Sequence, residues 1–63
     1  MNFSELKEND QYAAIARMET AGERLYGSRF QSALALAWYL SRGIERDKLN
    51  LVFGDTFMKY IIE

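Results

Sequence analysis

The chain has 63 residues, 49% apolar and 27% charged, with eight basic against nine acidic side chains and no Cys, His or Pro. That length fits one small domain over residues 1–63. The missing Cys excludes a disulfide framework and thiolate chemistry. Without Cys and His together, the usual zinc, copper and haem ligand sets, the Ser–His and Cys–His nucleophile pairs and the commonest proton-transfer side chain are all gone, so no cofactor or metal is expected.

The composition is that of a soluble globular domain. Its first ten residues carry charges of both signs where a signal peptide needs an apolar stretch, and its longest apolar run is eight residues, Ala33 to Leu40, far short of a membrane span. A cytoplasmic location is expected, in the host's cytoplasm if the gene is phage-borne. For a chain this small, hydrophobic burial and conformational entropy nearly cancel, at about 95 kcal/mol each. Self-association or a partner would therefore add what the core lacks.

Residues 1–8 are expected to be flexible or to form a short extra helical turn begun by Ser4 and carrying Leu6. From about residue 10 to 26, Ala14, Ile15, Met18, Ala21, Gly22, Leu25 and Tyr26 share one face at 100° per residue, which predicts an amphipathic helix. Asn9 or Asp10 is the expected cap and Gly27 the stop. Ser28-Arg29-Phe30-Gln31 matches a capping box and starts a second helix over 29–42, stopped by Gly43, with Ile44 placed for the apolar contact of a glycine cap. Its middle, from Ala33 to Leu40, has no polar face, the mark of a buried helix. So short a chain can barely cover such a helix, and another molecule is expected to cover the rest.

Two readings exist for the last third. As helices, at 46–53 and 55–62, Asp47 serves as cap and Gly54-Asp55 as stop and restart. The face made by Leu49, Val52, Phe53, Thr56, Phe57, Tyr60 and Ile61 is then apolar at six of seven positions. As strands, the same residues form a hairpin over 48–62 turning at Gly54-Asp55. The helical count favours an all-α bundle of three to four short helices; two helices plus a C-terminal β-hairpin is the alternative.

Of the carboxylates, Glu19 and Glu23 form one close helical pair at i, i+4, able in principle to hold Mg²⁺ or share a proton. They lie on the polar face beside Arg24, so a solvated helix surface is the reading preferred here. No phosphate loop, dinucleotide fingerprint or calcium loop is present, and no enzyme is expected.

The stretch from Leu40 to Leu49 has the layout that joins helix-turn-helix units, and as such it would aim Arg42, Arg46, Lys48 and Asn50 at DNA. Charge weighs against nucleic acid. Residues 1–28 sum to −2 and residues 29–63 to +1, and Glu45 and Asp47 alternate with Arg46 and Lys48. The nine aromatic residues are more than a small core absorbs, and Trp, Tyr and Arg dominate binding hot spots. Leu36, Trp38, Tyr39, Arg42 and Arg46 are therefore the candidate protein-binding patch. The favoured expectation is a non-catalytic protein that binds another protein, with a homodimer as one form. In size and composition it matches the stand-alone regulators, adaptors and inhibitors of phages, plasmids and bacteria. A DNA-binding regulator and a small structural subunit of an assembly are the alternatives.

Overall fold

The structure, a computed structural model, describes residues 2–24 and 29–61. A single 3₁₀ turn at Phe3–Glu5 precedes three α-helices, α1 (Glu8–Arg24), α2 (Arg29–Leu40) and α3 (Ile44–Met58). Among the described residues there is no strand, so the all-α bundle forms and the hairpin over 48–62 does not. A short turn does form here, but it spans Phe3–Glu5 with Asn2 as its cap instead of beginning at Ser4, leaves Leu6 extended beyond its end, and places Phe3 in the core.

α1 starts earlier than its polar residues suggest. The N–H groups of Asp10 and Gln11 both donate to Lys7 O at 3.0 Å, which places Asn9 and Asp10 inside the helix instead of at its cap. Ala14, Ile15, Met18 and Gly22 are buried from it, as the 3.6-residue period requires. The expected stop at Gly27 and the capping box begun by Ser28 lie outside the described residues.

α2 ends two residues short of the expected Arg42. The Ser41 hydroxyl donates to Trp38 O at 2.6 Å, and the Arg46 guanidinium comes back from α3 to donate to the same carbonyl at 3.0 Å, so the last turn is capped by side chains. Gly43 turns out to be the N-cap of α3, with φ +54° and ψ −122°, a backbone conformation that any Cβ would strain. Ile44 accordingly opens α3 and points to solvent instead of closing α2. Asp47 sits in the first turn of α3, where its charge suits the helix dipole, and does not cap it.

The two predicted C-terminal helices are one, because α3 runs unbroken through Gly54. A Cβ built on Gly54 would lie 3.8 Å from the Phe3 Cβ, so the glycine is where the N-terminal turn packs on α3 rather than a helix stop. The buried face of α3 is also rotated from the expected one. Asn50, Gly54 and Phe57 are buried, whereas Val52, expected inside, is exposed.

α1 packs along α2, α3 packs on the N-terminal turn, and α2 and α3 stand further apart, in a body 30 × 26 × 17 Å. The end of the chain is tied back by Arg17, whose guanidinium donates to Tyr60 O at 2.8 Å, and by the Tyr60 hydroxyl on Gln31 Oε1 at 3.0 Å.

Candidate functional site

Two regions bring the candidate residues together, one inside the fold and one outside. The inner one is centred on Trp38, which has no exposed surface. Phe3 and Tyr12 meet its ring edge to face, at centroid distances of 6.3 and 5.0 Å, and its Nε1–H donates to Asn50 Oδ1 at 2.8 Å. The Arg46 guanidinium carbon lies 3.9 Å from the same ring and 5.7 Å from that of Tyr12, while its nitrogens donate to the carbonyls at the end of α2 and to Ser41 Oγ. Every described element thus contributes a contact to one indole. Its polar edge is satisfied, as a buried N–H must be.

This geometry divides the five candidate patch residues. Trp38 is core, a correction that follows from its position between Leu34 and Ala35 on the inward arc of α2. Arg46 is half-buried and occupied by structural bonds. Tyr39 is half-buried, stacked on Tyr12 at 6.0 Å, and its phenol is raised above the ordinary value of 10.0 by burial first and then by the charges of Glu19 and the neighbouring Tyr12. Leu36 and Arg42 are exposed. Of the four residues aimed at DNA in the alternative reading, Asn50 and Arg46 are turned inward, which leaves Arg42 and Lys48 on the surface.

The outer region is apolar and larger than the predicted patch. On α2 the outward arc carries Phe30, Ala33, Leu36, Ala37 and Leu40, so the helix without a polar face is buried on one side only. On α3 Ile44, Leu51 and Val52 are also exposed, although Leu51 lines a separate cleft beside Phe3 and Gly54. The six large side chains among these are exposed by between 53% for Leu36 and 84% for Leu51. Between the helices lies an open groove of about 550 Å³, walled by Ala37 and Leu40 on one side and by Leu49, Val52 and Phe53 on the other. Glu45, Lys48 and Ser41 supply its only polar lining. The ring of Phe53 lies 6.0 Å from that of Phe30.

The composition of α2 signalled this surface, but Leu40 and Val52, the large exposed residues of the groove, were missed as members. Glu19 and Glu23 remain on the outer side of α1, and among the described residues no group of three His, Cys, Asp or Glu side chains could hold a metal ion. Among the described residues, too, no helix is long and apolar enough to cross a membrane. No protein-family model, curated protein or solved structure matches the chain.

Proposed function

We propose that this chain is a non-catalytic protein-binding module, a small regulator, adaptor or inhibitor working in the cytoplasm, and that the outward face of α2 and α3 is its working surface. The observation that supports this reading is the open, mainly apolar groove between α2 and α3, whose wall residues Leu40 and Val52 are exposed by 71% and 70%. Exposed apolar surface rimmed by polar residues marks interaction sites. The groove offers a partner's apolar side chains a place to insert. Its walls lack the convergent polar groups that orient a small substrate.

Site-specific photo-crosslinking in cells that express the gene tests this. A photoreactive residue at position 40 or 52 is expected to join the chain to another polypeptide, and one at Thr20, on the exposed side of α1, is not. Absence of any polypeptide adduct from positions 40 and 52 would refute the reading.

A further inference from the structure

We infer that the occupant of the α2/α3 face is a second copy of the chain, an inference that rests on the protein-binding reading above and names its partner. One observation, the charge at the groove, points to self-association.

Glu45 and Lys48 stand one turn apart on α3, both exposed, and both line the groove whose other walls are apolar apart from Ser41. A partner of uniform charge meets one like charge at this rim. A copy related by a two-fold axis passing between the two residues sets Lys48 against the mate's Glu45 and Glu45 against its Lys48, the reciprocal pairing that an isologous interface requires. Leu40 and Val52, which border the groove, then seat in the groove of the other copy. The lysine stem adds apolar cover while its ammonium stays at the rim.

Light scattering and sedimentation equilibrium of the full chain, taken up to roughly millimolar concentration, read the assembly directly. A particle of twice the chain mass is expected. Leu40→Glu and Val52→Glu, both at exposed positions, should each raise the dimer dissociation constant at least about tenfold while the helical circular dichroism is retained. Glu45→Lys and Lys48→Glu should each weaken the dimer, and the two together should restore it. A dimer indifferent to Leu40→Glu and Val52→Glu would overturn the inference. So would a chain that stays monomeric throughout; if positions 40 and 52 then still cross-link to a different polypeptide, the protein-binding reading stands alone, and if they cross-link to nothing, both fall.

Discussion

The indole of Trp38 donates its Nε1–H to Asn50 Oδ1 at 2.8 Å, and both residues are buried, so this bond links the last turn of α2 to the middle of α3. Asn50→Leu leaves the N–H unpaired and should lower stability by about 1–3 kcal/mol. Trp38→Phe removes the donor, orphans the amide and opens a cavity, for a loss of about 2–4 kcal/mol. The double variant should lose less than the sum by about 1 kcal/mol, since each single change already breaks the shared bond. Urea unfolding followed by circular dichroism measures all three, and additive losses would show that the bond contributes nothing.

Arg46 holds the same indole from its face. The guanidinium stacks at 3.9 Å and donates to Trp38 O and Ser41 Oγ at 3.0 and 3.3 Å, which satisfies the open end of α2 and places positive charge there. Lysine has the charge without the planar fork, so Arg46→Lys should cost about 1–2 kcal/mol of stability. Arg42→Ala, at an exposed neighbour, should change it by less than about 0.5 kcal/mol. Equal effects in a thermal melt would remove the structural role assigned to Arg46.

Periodicity located the helices well and misjudged which face of α3 is buried, for a reason visible in the residues themselves. Leu49, Val52 and Phe53 suggested a buried stripe, but the true one is built on Asn50, Gly54 and Phe57, about a quarter-turn away. Asn50 is polar and Gly54 has no side chain, so neither weighs in an apolar count. Each is inside because of a partner distant in sequence, Trp38 for one and Phe3 for the other. The same rotation explains why Val52 was not foreseen on the exposed face. In α2 the sequence showed a surplus of apolar surface correctly, yet a helix apolar all round carries no marking of which arc its neighbours will cover. Residues 36 and 40 proved outward, and 34 and 38 inward.

Gly22 and Gly54 both lie inside helices, where alanine ordinarily adds up to about 1 kcal/mol of helix preference. Their surroundings separate them. A Cβ on Gly54 would meet only the Phe3 Cβ at 3.8 Å, ordinary contact, so Gly54→Ala should be stabilising by up to about 1 kcal/mol. One on Gly22 would lie 2.8 Å from the Ser32 backbone nitrogen and 2.7 Å from its hydroxyl, which donates to Glu19 O at 3.3 Å. Helices α1 and α2 must then separate, and Gly22→Ala should cost about 1–3 kcal/mol. Opposite signs in denaturant midpoint are expected, and a gain at both positions would contradict the close approach of α1 to α2.

Alkaline pH should loosen the fold through Tyr39. Burial, then the Glu19 carboxylate, then Tyr12 raise its phenol above the ordinary value of 10.0. The folded chain therefore holds this proton more tightly than the unfolded chain does. The contribution is complete below pH 10, where both states are protonated, and is lost as pH rises from there through the folded-state value. Other groups titrate in the same window, so the diagnostic is a difference. Tyr39→Phe keeps the ring stacked on Tyr12 and removes the ionisable hydroxyl, and its urea midpoint should fall less steeply between about pH 9 and about pH 11 than that of the parent chain. Glu19→Gln removes a charge that opposes the phenolate, so its slope should lie between the two. If the parent and Tyr39→Phe chains lose stability in parallel, then Tyr39 is as free to ionise in the folded protein as in the unfolded one.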